Sequence, residues 1–530
     1  MNAQLQPDTT YTIEPTEGES ALPTSLYTRL RSDEPGVLSV QGEMRNKVCL
    51  RTDTEGKHGE LVISKAHRLH SDVLSYEERV KRSGVAFTVR LATVTDLIEL
   101  YRGSEGNGEG DKDSSRQTAM LGLIRDAASR GASDVHFYIQ RKVCRIRFRI
   151  HGQLETQRQY ECTREEGLLL VRTMYNSMCM EAEPALDENR EQDAQLQHAF
   201  AEKAKLTGSR IGTRPAVEKG LLVVLRLMLP DDGKPVTLES LGYLPEQLEQ
   251  IVYMTARTHG INIFSGITGS GKSTSLKACI ELLMDTSEQR IHTLTLESPT
   301  EYRIRGEGVV QTPVNTENNG WARAIKNAMR LDPDVIMIGE IRDPESATTA
   351  FDAAMTGHGL WSTLHTADAP GILLRLRRLG VDEDFLFDPS TVTGLINQSL
   401  VPTLCQKCAI PFHENRHILS AAVVKRIEQA CPADALKKIQ LQGAGCKECR
   451  GLGVSGRTVV AEVITPTAAF MQTFRDAGKL AARKQWVGSG GITKLAHLIT
   501  MIADGRVDPR HGERVCGPLD QDAVTLGGGE

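Results

Sequence analysis

The chain has 530 residues, which is too long for one ordinary domain and predicts roughly three to four. Charged residues make up 25% and hydrophobic residues 40% of the chain, and the formal net charge is −5; this composition excludes a wholly disordered or fibrous protein and argues against nucleic acid as the main partner. No apolar run reaches the roughly 18 residues of a membrane-spanning helix, and the N-terminal residues lack the apolar core of a secretion signal, so we expect a cytoplasmic protein.

The first region of the chain, residues 1–102, mixes short alternating runs with charged stretches of helical character, and it carries no chemical motif. Residues 103–116 follow, with four glycines among charged residues and serines. Such a segment cannot bury enough apolar area to fold, and it predicts a flexible linker. We therefore expect a separate N-terminal domain.

Residues 117–237 are predicted to form a second domain of mixed α and β structure. Four apolar side chains recur at helical spacing near its start: Met120, Leu123, Ile124 and Ala127. Residues 143–150 alternate apolar residues with arginine, the pattern of a half-buried strand, and residues 221–227 form an apolar run that only Arg226 interrupts. Proline, glycine and charged residues at 230–235 end the domain and are typical of a hinge.

A phosphate-binding loop lies near the start of the third predicted domain, residues 238–400, in which strands and helices alternate as in a parallel α/β sheet. A short apolar strand runs directly into Gly266–Ser273, which reads GxxxxGK[ST], and a helical pattern follows. Glycines let successive N–H groups surround the phosphates, Lys272 reaches the β- and γ-phosphates, and the Ser273 hydroxyl binds Mg²⁺. The predicted nucleotide and Mg²⁺ site consists of Gly266, Thr268, Gly269, Ser270, Gly271, Lys272, Ser273 and Thr274.

Polar side chains just beyond three further strands are candidates for the hydrolysis of the nucleotide. Glu340 follows an apolar strand and is the first candidate for the base that polarises the attacking water. Glu297 and Glu301 follow a second strand and suit contact with metal-bound water or the γ-phosphate. His365 follows a third strand and is a candidate sensor of the γ-phosphate.

Two CxxC pairs predict a metal site in the last region, residues 401–530, which otherwise contains helical stretches. Cys405, Cys408, Cys446 and Cys449 supply four thiolates, the number that a closed tetrahedral structural zinc site requires. The 37 residues between the pairs (446 − 408 − 1) exceed the spacing of an ordinary zinc ribbon and predict a helical insertion. A redox-active dithiol is the alternative.

Four ordered motifs resemble those of the type II/type IV secretion ATPase family. The family's Walker A motif, Asp box, Walker B motif and His box are similar, in that order, to Gly266–Ser273, Glu297–Glu301, Gly339–Asp343 and Gly357–Thr366. The resemblance covers about residues 117–500 and includes both cysteine pairs.

Three positions depart from the family pattern. Ser298 stands where the Asp box has Asp, His151 replaces an Asp of the second domain, and Ser399 replaces the Arg of a Gln-Arg-Leu motif. These departures indicate an outlying branch of the family, such as the motors of type IVb or conjugative thin pili.

The resemblance implies a RecA-like P-loop NTPase core, a preceding PAS-like α+β domain and a helical, zinc-binding C-terminal region. It implies an ATPase that uses ATP and Mg²⁺ and works as a homo-hexamer at the inner face of the inner membrane. There it would drive a membrane platform protein that assembles a type IV pilus or a type II secretion pseudopilus. Arg210 and Arg226 match family positions that bring positive charge to the phosphates, and residues 1–102 would dock a membrane-associated partner.

Two alternative functions remain open. A retraction motor of the same family is disfavoured because the cysteine pairs and the long N-terminal region are assembly-type features by resemblance. A nucleic-acid translocase with a zinc ribbon is favoured by nine Lys and Arg against four Asp and Glu in residues 405–457. The acidic whole chain and its low aromatic content, 5%, argue against that translocase, and no nucleic-acid partner is expected.

Overall fold

The computed structural model describes residues 27, 29–32, 36–40, 42–102, 109–180, 183, 185–230 and 236–527. Internal contacts divide the chain into two compact units, Met1–Met120 and Leu121–Glu530. Among the helices of the described residues, none has both the length and the apolar character that a membrane crossing requires.

The first unit contains a four-stranded sheet in the order β1-β2-β3-β4. Its elements are the strands Arg29–Leu30 (β1), Val48–Thr52 (β2), His58–Ser64 (β3) and Ala86–Ala92 (β4) and the helices Ser71–Arg82 (α1) and Val94–Arg102 (α2). Strands β3 and β4 are parallel because α1 makes the crossover between them. The helix buries Val73, Tyr76 and Val80, which its spacing of three and four residues places on one face.

The next helix begins earlier than the sequence predicts. Helix α3 spans Glu109–Ser129, so the second half of the predicted linker at 103–116 is helical. Residues 103–108 lie outside the described residues. The helical half contains no proline and continues directly into the stretch around Leu123 and Ile124. Burial of these two side chains stabilises the helix, and the residues before them can join it at little cost.

Residues 132–228 form an eight-stranded antiparallel sheet in the order β7-β6-β5-β12-β11-β10-β9, with β8 beside β6. Its elements are Ala132–Ile139 (β5), Val143–Ile150 (β6), Gln153–Thr156 (β7), Cys162–Thr163 (β8), Arg164–Thr173 (α4), Cys179–Met180 (β9), Gln192–Leu196 (β10), His198–Lys203 (α5), Gly208–Ala216 (β11) and Gly220–Met228 (β12). The alternation in β6 places Cys144, Ile146, Phe148 and Ile150 in the core, as predicted. Most of the predicted hinge, residues 231–235, lies outside the described residues.

A seven-stranded sheet follows, in the order β15-β14-β16-β17-β13-β18-β21, and its first six strands are parallel. The elements up to the sixth strand are Leu238–Leu241 (α6), Pro245–Thr255 (α7), Gly260–Ser265 (β13), Lys272–Thr286 (α8), Thr293–Glu297 (β14), Val309–Pro313 (β15), Gly320–Ala328 (α9), Val335–Ile338 (β16), Pro344–Met355 (α10), Gly359–Leu364 (β17), Gly371–Arg378 (α11), Glu383–Leu386 (α12) and Val392–Leu404 (β18). Apolar helix faces cover both sides of this sheet, from α7 and α8 on one side and α9, α10 and α11 on the other. The central strands are therefore buried on both faces, which explains why they contain few charged residues and why β16 is continuously apolar.

The C-terminal region is joined to the same sheet. Its elements are Ile410–Pro411 (β19), Ala421–Ala430 (α13), Gln440–Leu441 (β20), Val454–Ile464 (β21), Ala468–Gly488 (α14), Lys494–Ala503 (α15), Pro509–Cys516 (α16) and Gln521–Leu526 (α17). Strand β21 pairs antiparallel with β18 from Leu395 to Leu404. The predicted domain boundary at residue 400 is therefore wrong, because it falls inside β18 and separates two paired strands.

Candidate active site

The phosphate-binding loop connects β13 to α8 and has the backbone that the motif predicts. Gly271 has a φ of 82° and precedes the first residue of α8, so a residue with a side chain would be strained there. At Gly266 a Cβ atom would lie 2.3 Å from the carbonyl oxygen of Gln398, which leaves no room for a side chain. Together these constraints hold the loop as a tight turn in front of the N-terminus of α8.

Lys272 folds back over the loop. Its Nζ donates to the carbonyl oxygens of Gly266 at 3.0 Å and Ile267 at 3.2 Å. Burial lowers the pKa of Lys272 to about 8, and the nearby negative charge of Glu301 opposes the shift. The ammonium is therefore already partly desolvated at the place where the motif predicts contact with phosphate oxygens.

Glu340 and His365 lie beside the loop, at the carboxyl ends of β16 and β17. The Nδ1 of His365 donates to the Gly266 carbonyl oxygen at 3.1 Å, and its Nε2 lies 3.9 Å from Oε2 of Glu340. A carbonyl oxygen only accepts, so the proton of the neutral ring is on Nδ1. Burial and the charge of Lys272 lower the pKa of His365, and Arg342 forms an ion pair with Glu340.

The two carboxylates after β14 have different environments. Glu297 is buried, and its Oε1 accepts from the Thr295 hydroxyl at 2.7 Å and from Nε2 of Gln311 at 2.9 Å. Burial raises the pKa of Glu297, and these two hydrogen bonds oppose the shift. Glu301 is exposed, and its negative charge acts on Lys272 and Arg210. Of the pair, Glu301 is the one with electrostatic contact to the loop lysine.

The two predicted arginines are direct neighbours across the β11–β12 ladder but make different contacts. Arg210 donates from Nη2 to the carbonyl oxygen of Ser298 at 2.8 Å, and so reaches the loop between Glu297 and Glu301. Arg226 donates from Nε to Oδ1 of Asp134 on β5 at 3.1 Å. The described contacts therefore connect Arg210 to the candidate site and hold Arg226 within its own sheet.

Three residues that were not predicted as site residues support the loop: Tyr243, Asn397 and Gln398. Gln398, on β18, donates from Nε2 to the Ser270 carbonyl oxygen at 2.8 Å and accepts from the Tyr243 hydroxyl at 2.5 Å. Its neighbour Asn397 donates from Nδ2 to the Ser265 hydroxyl at 3.0 Å. Both amides support the loop from behind and are fully buried. Two adjacent amides inside an apolar strand are a signal that could have identified them, because a buried amide needs partners.

The four paired cysteines converge into one cluster between the two ends of the C-terminal insertion. All four Sγ atoms lie within 4.8 Å of one another. Three Sγ–Sγ distances, Cys405–Cys446, Cys408–Cys449 and Cys446–Cys449, are 3.8 Å. A tetrahedral zinc ion with Zn–S bonds of about 2.3 Å requires sulfur separations of about 3.8 Å. The convergence of all four sulfurs, rather than of one pair, fits a metal site better than the redox alternative.

Backbone N–H groups also favour a thiolate at this cluster. Cys449 Sγ accepts from the N–H groups of Cys446 and Gly453, each at 3.1 Å. Burial acts to raise the pKa of Cys449, but these two hydrogen bonds and those from the Cys446 and Cys408 thiols together outweigh burial, and the pKa falls to about 6. Since metal binding requires the deprotonated sulfur, the backbone prepares Cys449 as a ligand.

Comparison with known proteins gives the family of the chain. Residues 110–510 match the family model described as type II/IV secretion system protein. The chain is 36% identical over 408 residues to the type II secretion system ATPase E of Vibrio cholerae, covering 75% of this chain and 76% of that protein. It is 30% identical over 415 residues to the type IV pilus assembly ATPase PilB of Thermus thermophilus, covering 73% of this chain and 44% of that protein.

A solved structure supports the fold. The Legionella pneumophila ATPase DotB aligns with a TM-score of 0.50 at 21% identity, covering 74% of this chain and 93% of that one. The predicted RecA-like core with a preceding α+β domain and a helical C-terminal region is confirmed. On the family match and the identity to the secretion ATPases, the chain belongs to the type II/IV secretion system protein family and is an ATPase of that family.

Proposed function

We propose that this ATPase is a homo-hexameric motor that couples ATP hydrolysis to the assembly of a type IV pilus, of the thin or type IVb kind, or of a type II secretion pseudopilus. One observation carries the proposal: His365 and Lys272 both donate to the Gly266 carbonyl, with Glu340 beside them. A histidine on one strand, a carboxylate on another and the loop lysine thus meet at one sheet edge, where parallel α/β sheets bind ligands.

Each residue of this group has a distinct proposed role in hydrolysis. Lys272 would exchange its carbonyl partners for the oxygens of the β- and γ-phosphates. Glu340 would orient the attacking water and accept its proton. His365, neutral at its lowered pKa, would contact the γ-phosphate through Nε2 while Nδ1 stays on the Gly266 carbonyl.

The residues around the loop also suit Mg²⁺. The Ser273 hydroxyl is exposed in the first turn of α8, and the carboxylate of Glu340 lies at the same sheet edge. Oxygen ligands of this kind are those that Mg²⁺ prefers, and the ion would supply positive charge to the phosphate oxygens. We assign Ser273 as its direct ligand.

Assembly is favoured over retraction by the kind of relative that the chain matches. The relatives compared above are named for type II secretion and for type IV pilus assembly. We propose that the motor acts on a platform protein in the inner membrane, at whose cytoplasmic face it is held by its partners. Residues 1–102 contribute none of the predicted nucleotide-site residues, and we assign to them the docking of such a partner.

The tetracysteine cluster is proposed as a structural zinc site. It closes the insertion between β18 and β21 at both ends, since Cys405 and Cys408 follow β18 and Cys446 and Cys449 lie just before β21. Because four thiolates leave no open coordination position, the metal would stabilise this insertion without taking part in hydrolysis.

The test of the proposed motor is a comparison of the parent protein with Lys272→Ala. The parent should hydrolyse ATP with Mg²⁺, run as a hexamer in the presence of nucleotide, and restore pilus assembly or secretion to a strain that lacks the gene. Lys272→Ala should lose turnover and complementation. Parent protein that binds no ATP contradicts the ATPase site, and strong stimulation of turnover by DNA would favour the translocase instead.

A further inference from the structure

The segment Thr366–Ala369, which directly follows His365, is held by side chains from distant parts of the chain. The Thr366 carbonyl oxygen accepts from Nδ2 of Asn397 at 3.0 Å, and the Ala367 carbonyl oxygen accepts from Nζ of Lys494 at 3.0 Å. The N–H of Ala369 donates to Oε2 of Glu462 at 2.9 Å. In addition to local hydrogen bonds such as that from the Thr366 hydroxyl to the Asp368 carbonyl oxygen at 2.9 Å, residues of β18, β21 and α15 therefore hold this segment.

Charge pairs reinforce the same contact. Asp368 pairs with Lys479 at 2.6 Å and with Arg483 at 3.4 Å, both from α14. Arg483 also donates from Nη2 to Oε1 of Glu462 at 2.6 Å. Glu462 is only 1% exposed, and a buried carboxylate of this kind is stable only while its partners remain in place.

Lys494 supports Asn397, the residue that connects this cluster to the phosphate loop. Besides Ala367, its Nζ donates to Oδ1 of Asn397 at 2.7 Å. Asn397 in turn donates to the Ser265 hydroxyl at 3.0 Å, at the last residue before the loop begins. One ammonium therefore holds both the backbone after His365 and the amide behind the loop.

We infer that Lys494 is a positioning residue for His365, through which the C-terminal region controls the hydrolysis step. It fixes the Ala367 carbonyl, and with it the start of the segment, so that the His365 ring keeps its Nδ1 on the Gly266 carbonyl and its Nε2 toward the γ-phosphate. This inference rests on the proposed function of His365. Movements of β21, α14 or α15 would therefore change the position of His365 relative to the γ-phosphate.

Measuring ADP affinity distinguishes a positioning role of Lys494 from general damage to the fold. Asn397 keeps its own hydrogen bond to Ser265 without Lys494, and Lys272 and the N-terminus of α8, not Lys494, would contact the β-phosphate. Loss of positioning should therefore lower turnover of ATP and leave the binding of ADP almost unchanged. Damage to the fold would lower both.

The experiment compares Lys494→Met, Lys494→Arg and the control Lys484→Met, which alters an exposed lysine of α14 outside the cluster. Steady-state turnover gives kcat and KM for ATP, calorimetric titration gives the ADP affinity, and thermal unfolding checks the fold. Because displacing a reacting group by about 1 Å costs up to roughly 100-fold, we expect kcat of Lys494→Met to fall about tenfold or more. ADP affinity should stay within about twofold, and Lys494→Arg, which keeps a donor, should retain most of kcat.

Two results would overturn the inference. One is a kcat of Lys494→Met equal to that of the control, and the other is a parallel loss of ADP affinity and kcat. If Lys494→Met does not fold, Lys494→Gln, which keeps a shorter polar side chain, is measured against Lys494→Arg with the same criteria. Failure of the proposed function itself is separate, because parent protein would then show neither ADP binding nor ATP turnover.

Discussion

Arg210 donates to the carbonyl oxygen of Ser298 at 2.8 Å, and this single hydrogen bond joins the antiparallel sheet of residues 132–228 to the loop after β14. Its strand neighbour Arg226, directly opposite on β12, instead pairs with Asp134. The two arginines are therefore not equivalent in this conformation. Of these two arginines, Arg210 is the one whose described contacts reach the loop between Glu297 and Glu301.

Arg210→Ala should therefore impair ATP turnover. A hydrogen bond to a charged group contributes about 1.5–3 kcal/mol, so we expect kcat/KM to fall roughly 10- to 100-fold. Arg214→Ala is the matched control, since Arg214 is an exposed arginine of the same strand. Turnover by Arg210→Ala equal to that of the control would exclude Arg210 from the active site.

Glu340→Gln should separate binding from hydrolysis. The amide keeps the shape of the side chain but cannot accept the proton of the attacking water, and general-base catalysis contributes about 10²- to 10⁴-fold. We expect kcat to fall by that factor, with ATP affinity preserved. Glu345→Gln, on the exposed start of α10, serves as the control. If the variant retains more than about a tenth of the parent's turnover, Glu340 is not the general base.

Nucleotide affinity should weaken at alkaline pH. The pKa of Lys272 is about 8 in this structure, and phosphate binding favours the charged ammonium. Below pH 8 the lysine is already charged; above it, binding must take up a proton, so the dissociation constant for ADP should rise up to about tenfold per pH unit. Calorimetric titration from pH 6.5 to 9.5, in roughly half-unit steps, measures this dependence.

The matched control for the pH dependence is Lys272→Arg, since arginine stays charged throughout this range. Its ADP affinity, even if weaker overall, should not depend on pH above 8. A parent protein whose affinity is flat from pH 7 to 9 would show that burial does not shift the ammonium into this range.

The cysteine cluster should contain about one zinc ion per chain in protein that is purified without chelator. Cys405→Ser should lose most of this metal and unfold at a lower temperature, because the insertion between β18 and β21 would lose the link between its ends. Cys162→Ser, which changes a half-buried cysteine outside the cluster, should keep its zinc. Less than about 0.3 zinc per parent chain would contradict a structural zinc site.

The sequence predicted those parts of the site in which chemistry is encoded locally. The phosphate loop, Glu340 and His365 each follow an apolar strand directly, so strand and functional residue are read together. Parallel strands bring their carboxyl ends to one edge, which makes the convergence of these residues predictable without a structure.

What was missed depends on contacts between residues that are far apart in sequence. Tyr243 and Gln398 are 155 positions apart, and Asn397 and Lys494 are 97 apart. Nothing in the local pattern around these residues specifies the partner. The wrong boundary at residue 400 has the same cause, since pairing of β18 with β21 spans an insertion that the sequence pattern presents as a new domain.

The antiparallel pairing of β18 with β21 has a practical consequence for anyone who wishes to shorten the protein. In a polypeptide that stopped after β18, the backbone N–H and C=O groups of Leu395 to Leu404 that face β21 would lose their hydrogen-bond partners. Strand β18 would then be an exposed outer strand of the sheet. Exposed strands of this kind pair with strands of other molecules, and the protein then aggregates. A shortened form that does not aggregate must therefore retain the chain at least through Ile464, metal-binding insertion included.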